Sequence, residues 1–199
     1  MLVVVDYGAG NMNSVRKAFA FLGVETFVAR GPEDLAGADR IVLPGVGAFG
    51  RAAERLRLLG FDRALRDWAA AGRPLLGICL GLQLFFESSE ESPGVKGLGL
   101  IPGLCRRLRA RTVPHVGWNA VRPSRPHPLF DGTGAAEHFY FVHSYYAAPV
   151  ESGDVLGLTD YTGDFCSAAG RDRIAGVQFH PEKSGGAGLE LLRNWMERC

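Results

Sequence analysis

Strand-like and helix-like runs alternate through the first half of the chain, and that alternation restricts the fold more than any other feature. Residues 2–6, "LVVVD", form a β-branched run followed by the glycine-rich "YGAGN". In the next segment, "SVRKAFAFLG", Val15, Ala18, Phe19 and Leu22 recur at helical spacing before Gly23 ends the helix. The cycle returns with "VETFVA" at 24–29, a short helix in "PEDLAGA", and "RIVLPG" at 40–45. Helices are predicted over 48–59 and 61–71, then a strand at 75–78 and a helix in "LGLQLFFES". Strands separated by helices pair in parallel through right-handed crossovers, which gives a sheet covered on both faces.

From about residue 98 the texture changes to short runs punctuated by Gly and Pro: "GLIPG", "CRRLRA", "WNAVRP", "HFYFVHSYYA", "DVLGLT", "FCSAAGR" and "RIAGVQFH". These fit hairpins, so antiparallel strands are expected to join the sheet or form a small second one. A final helix is predicted in "GLELLRNWMER". No repeat or linker divides the chain, and one α/β domain over 1–199 is expected: a central, mostly parallel sheet flanked by helices, with added antiparallel strands.

Composition narrows the function classes. With 47% hydrophobic and 22% charged residues and a net charge of +1, no global field draws the chain to nucleic acid or to an anionic membrane. The one basic cluster, "RRLRAR" at 106–111, alternates charge with apolar residues as a solvated or partner-facing strand would. The opening "MLVVVDYG" reads as a first strand and not as a signal peptide, and the longest apolar stretch falls short of the ~18 residues of a membrane span. A cytoplasmic location is expected. The four cysteines, at 79, 105, 166 and 199, show no metal-ligand spacing and are expected as reduced thiols; no metal and no cofactor is expected.

Chemistry concentrates at "PLLGICLGLQLFF", residues 74–86, where Cys79 stands between Gly77 and Gly81. A strand that ends in G-x-C-x-G and passes into a helix is the thiol form of a nucleophile elbow, with glycines where the backbone turns too tightly for a side chain. The helix start favours the thiolate. A thiolate nucleophile needs a base and the base an orienting acceptor, and "VQFHPEKS" at 177–184 offers His180 and Glu182. In an extended segment their side chains point the same way. One oxyanion donor is expected from the Leu80 N–H and a second from the loop N–H groups of Gly45, Val46 and Gly47 in "LPGVGAFG". A surface or satisfied core role is expected for His115, His127 and His138, and His143 is left undecided. "DYGAGN" lacks the third glycine of a dinucleotide fingerprint.

"GICLGLQ", "PGVG" and "HPEKS", in this order, resemble the class I glutamine amidotransferases with a Cys-His-Glu triad. Adding "DYGAGN", "PGVGAFG", "PGVKGLGLIPG", "PHVGWN" and "YFVHSYY", nearly the whole chain is similar to the glutaminase subunits of imidazole glycerol phosphate synthases. The resemblance implies a flavodoxin-like fold and hydrolysis of glutamine to glutamate and ammonia through a thioester on Cys79. It places Gln83 and Glu91 on substrate glutamine, with Ser144 and Tyr145 in backbone contact. It also implies a heterodimer with a cyclase subunit, a (β/α)8 barrel that receives the ammonia, with Asn11, Trp118, Asn119, Tyr140, His143 and Lys183 on the face toward that partner or at the ammonia exit. The "PGVG" peptides are expected to switch between states with and without the oxyanion donor, since adjacent glycines make rotation inexpensive. The rivals are a glutaminase serving another acceptor (anthranilate or pyridoxal phosphate synthesis), a thiol hydrolase on the same elbow, and a non-enzymatic binding module built on "DYGAG".

Overall fold

The alternating side chains of the first strands face two different cores. The computed structural model describes residues 1–199 and opens with β1 (Leu2–Val5), which turns Val3 and Val5 to one face and Leu2 and Val4 to the other. The chain continues through α1 (Met12–Phe21), β2 (Thr26–Ala29), β3 (Arg40–Gly45), α2 (Phe49–Leu58), α3 (Phe61–Ala70), β4 (Leu75–Cys79) and α4 (Leu80–Leu84). Helices α2 and α3 cover the Val3 face with Phe49, Leu56, Leu65 and Trp68. The opposite face is closed by Phe19 of α1 and by Leu191, Leu192 and Trp195 of the last helix. At about 1.5–3 kcal/mol for each large apolar side chain removed from water, these two layers supply the main favourable term in folding.

The second half adds β5 (Ser88–Ser89), β6 (Gly103–Arg107), β7 (His115–Pro123), β8 (Glu137–His143), β9 (Tyr145–Pro149), β10 (Val155–Asp160), β11 (Asp164–Arg171), β12 (Ile174–Val177) and α5 (Gly185–Arg198). The sheet order is β2-β1-β3-β4-β12-β11-β10-β7-β8, and β5, β6 and β9 branch from it through a β9–β11 pairing. Pairing is parallel from β2 to β12 and antiparallel beyond. The expected antiparallel strands therefore both extend the sheet and fold a small branch beside it.

Several local expectations shift. The helix after Cys79 is only five residues long, and Ser88–Ser89 turn into a strand. "HFYFVHSYYA" breaks at Ser144 into β8 and β9, and "RIAGVQFH" leaves the sheet after Val177. "PEDLAGA" shortens to a 3₁₀ turn at Pro32–Leu35, and in "GLIPG" only Gly103 joins a strand. The basic strand is only half solvated: Arg106 and Arg107 are exposed while Cys105 and Leu108 are buried, because β6 lies between β5 and β9.

The elbow after β4 depends on missing side chains. A Cβ on Gly81 would overlap the Leu43 carbonyl oxygen of β3, and one on Gly77 would lie 2.7 Å from the Leu82 nitrogen. The short helix thus crosses its neighbouring strand backbone against backbone. Gly81→Ala should destabilise the fold by about 3 kcal/mol or prevent folding, the upper range for overpacking. Gly186→Ala, which meets nothing within 4 Å, should leave the urea midpoint close to that of the unsubstituted chain.

Candidate active site

Cys79 is the last residue of β4 and has φ 55° and ψ −108°, a conformation L-residues rarely adopt. Such geometry costs on the order of 1–3 kcal/mol and persists only where the surroundings enforce it, here through the two crowded glycines. Its thiol lines a cavity of about 290 Å³ together with Val46, Gly47, Leu80, Gln83, Glu91, His143, Ser144, Tyr145 and His180. All sixteen site residues expected from the sequence were not expected in one place, and this cavity gathers those assigned to catalysis and substrate, apart from Glu182 behind His180.

His180 and Glu182 reach the site differently from the extended geometry expected. Pro181–Lys183 form a 3₁₀ turn, and His180 Nδ1–H donates to Glu182 Oε1 at 2.8 Å with both side chains almost wholly buried. The turn is pinned to β8: the His180 N–H donates to the Tyr140 carbonyl at 2.9 Å. The Ser184 hydroxyl donates to the His180 carbonyl at 2.6 Å and accepts the Tyr140 N–H at 3.0 Å. Nε2 is buried with no hydrogen-bond partner, so it is free to exchange a proton inside the cavity. Burial alone would lower the imidazole pKa, but the interactions with Cys79 and Glu182 outweigh it and raise it to about 9. The imidazole is thus a ready proton acceptor beside the sulfur.

The remaining thiols are unlike Cys79. Burial pushes Cys105 far up and Cys166 to about 12, and it also raises Cys199. The helix after Cys79 is short, so its macrodipole is weaker than the sequence suggests. The polar side chains that face the Cys79 sulfur are the His180 imidazole across the cavity and the Gln178 amide. No group of three or more His, Cys, Asp and Glu side chains gathers as a metal site.

The Val46 and Gly47 N–H groups have no hydrogen-bond partner, and Gly47 has φ 99°, so this loop has donors to offer. Leu80 begins α4, where a first-turn N–H has no partner within the helix. Glu91 accepts from the Phe49 N–H at 2.6 Å and so ties the loop's following helix to the cavity wall. Gln83 Nε2 donates to the Tyr145 carbonyl at 2.9 Å. The Ser144 carbonyl is bonded to Leu108 N–H, so both backbone carbonyls at 144 and 145 are already engaged within the protein.

Trp118, Tyr140 and Lys183 form an outward cluster: Trp118 is 57% exposed, its ring centroid lies 6.3 Å from that of Tyr140, and Lys183 Nζ is 5.7 Å from the same tyrosine ring. Asn11 stands just before α1 and is half-buried. His143 does not share this outward face. It is buried in the cavity wall, where desolvation depresses its pKa to about 3. Asn119 bonds inward, to His115 and to the Asp160 carbonyl. Sequence reasoning missed Gln178, whose Nε2 lies 3.7 Å from Cys79 Sγ, and Ser184. Gln178 carried one signal: a polar residue two positions before His180 in an apolar run.

The family profile Glutamine amidotransferase class-I matches residues 3–199. The chain is 47% identical over 200 residues, covering 99% of this chain and 100% of the relative, to a Chlorobium luteolum protein named "Imidazole glycerol phosphate synthase subunit HisH". A protein of the same name from Moorella thermoacetica is 49% identical, covering 98% of this chain and 94% of the relative. Among solved structures, "Crystal structure of glutamine amidotransferase" superposes with TM-score 0.79 at 20% identity over 98% of this chain and 97% of that one. "Structure of PurLQS from Thermotoga maritima" also gives 0.79, at 16% identity over 98% and 96%. At those identities the structures bear on the fold alone.

Since the folded pKa of His180 lies above the value of about 6.5 for free imidazole, its contribution to stability is complete below about pH 6.5 and is lost as pH rises through about 9. Glu182→Gln should flatten that loss. Urea midpoints measured at pH 6 and pH 9.5 should differ less in the variant than in the unsubstituted chain.

Proposed function

The chain belongs to the class I glutamine amidotransferase family, and on that premise we propose that it is the glutaminase subunit of an imidazole glycerol phosphate synthase, supplying ammonia for a step of histidine biosynthesis. The single observation that carries the chemistry is the strained Cys79 facing, in one cavity, a buried imidazole held by a buried carboxylate.

The reaction follows from these groups. The Cys79 thiol proton passes to His180 Nε2, and the sulfur electron pair attacks the side-chain amide carbon of glutamine. Negative charge develops on the amide oxygen, which the Val46, Gly47 and Leu80 N–H groups are placed to receive. His180 returns the proton to the departing nitrogen, the C–N bond breaks, and ammonia leaves with a γ-glutamyl thioester behind. Water then attacks the thioester while His180 takes its proton, releasing glutamate and restoring the thiol. Glu182 keeps the imidazole oriented and offsets its charge throughout. Gln83 and Glu91 hold the substrate's polar groups.

The relatives are named as subunits, and the cluster of exposed Trp118 and Lys183 on half-buried Tyr140 supports a partner on that face. The proposed partner is a cyclase of (β/α)8 form, in a heterodimer that carries ammonia to it without release to solvent. Rotation of the Val46–Gly47 peptides would make the oxyanion donors depend on that partner, and an isolated subunit as active as the complex would exclude such control.

Two measurements test the proposal. Cys79→Ala should lose at least about 10³-fold in glutamine turnover with the partner present, the scale seen when a covalent nucleophile is removed. Trp118→Ala should weaken partner binding by about 2 kcal/mol, roughly thirtyfold in Kd, the scale of an aromatic hot spot. Calorimetry with a cyclase subunit reads the second outcome directly.

A further inference from the structure

We propose that Gln178 is a further catalytic residue, whose side-chain amide donates a hydrogen bond to the Cys79 sulfur and holds it as thiolate before substrate arrives. The inference rests on Cys79 being the nucleophile of the site proposed above.

Which end of the Gln178 amide faces the sulfur follows from its neighbours. The Tyr145 carbonyl can only accept, and it receives Gln83 Nε2 at 2.9 Å, so the NH₂ end of Gln83 points inward. That same nitrogen lies 3.1 Å from Gln178 Oε1. The oxygen of Gln178 therefore faces Gln83, and its NH₂ faces Cys79 Sγ at 3.7 Å. A reversed amide would set NH₂ against NH₂ and oxygen against sulfur. Gln178 is fully buried, so water cannot relieve such a mismatch.

The acceptor that starts this chain is itself held in place. His143 Nδ1 lies 2.9 Å from the Tyr145 carbonyl and must donate to it, which leaves its Nε2 as an acceptor for His115 Nδ1–H at 3.1 Å. His115 Nε2 then accepts from Asn119 Nδ2 at 3.3 Å. Burial lowers the pKa of both imidazoles, which keeps each neutral and each tautomer fixed. The histidines are positioning residues, whereas Gln178 touches the reacting atom.

The sulfur thus has one neutral amide as its donor, with the His180 imidazole beside it in the same cavity. When sulfur bonds to the substrate carbon its charge moves to the oxyanion, and the Gln178 donor is left facing a neutral, carbon-bound sulfur. Its effect is on the free enzyme's nucleophile, which makes it measurable without substrate.

The test is the pH dependence of Cys79 alkylation by iodoacetamide on the full chain, with the labelled peptide identified by mass spectrometry. Gln178→Met keeps the side-chain length and removes the donor. Its alkylation midpoint should rise by about one pH unit, so that Cys79 reacts roughly tenfold more slowly at a pH below both midpoints. Gln83→Met, which leaves Gln178 in place but frees its amide to turn, should raise the midpoint in the same direction by less. A folded Gln178→Met chain with an unshifted midpoint would overturn the proposal. Should that variant not fold, an unshifted midpoint in Gln83→Met overturns it instead. Alkylation needs no glutamine, so a chain with the expected shifts but no glutaminase activity would defeat the proposed function and leave this inference standing.

Discussion

The bare contact between Gly81 and the Leu43 carbonyl is the constraint on which the site depends. It lets the chain reverse from β4 into α4 with no room for a side chain, and the turn forces positive φ on the residue two places earlier. The strain at Cys79 is local, but what holds it is distributed: β3 and β12 flank β4 in parallel register, and both cores press on the strand. A sulfur on a flexible loop would lose this fixed aim into the cavity.

Around that fixed atom, burial does two opposite things. For Cys105 and Cys166 it suppresses ionisation, because no cation or strong donor stands near enough to compensate. For His180 the desolvation penalty is present too, yet the carboxylate at 2.8 Å and the sulfur reverse it. The two outcomes differ by partners and not by depth. The same reasoning separates the histidines: His143 and His180 both line the cavity, but His143 is desolvated beside a carbonyl, with His115 and His180 opposing its protonation, and stays uncharged.

The parallel half of the fold was legible because its signals are local: β-branched runs, helical spacing and glycine stops each lie within a dozen residues. The tight turn at Cys79 was legible for the same reason, since Gly77 and Gly81 stand two positions from it. The branching of β6 and β9 off the main sheet was not, because a strand's partner depends on residues far along the chain, such as Ala147 opposite Cys166. His180 and Glu182 were paired correctly by proximity, though a 3₁₀ turn and not an extended run brings them together. Gln178 escaped notice because its significance lies in Gln83 and Cys79, nearly a hundred residues upstream, and no short pattern encodes that meeting.

β8 is the last strand of the sheet, and its outer side would be a bare row of amides open to pairing with another molecule. The Tyr140 bonds to His180 and Ser184 occupy part of that row. The segment that delivers the imidazole therefore also serves as a guard against strand-to-strand association. Breaking those few bonds would at one stroke release the turn that carries the imidazole and bare that stretch of the sheet's edge.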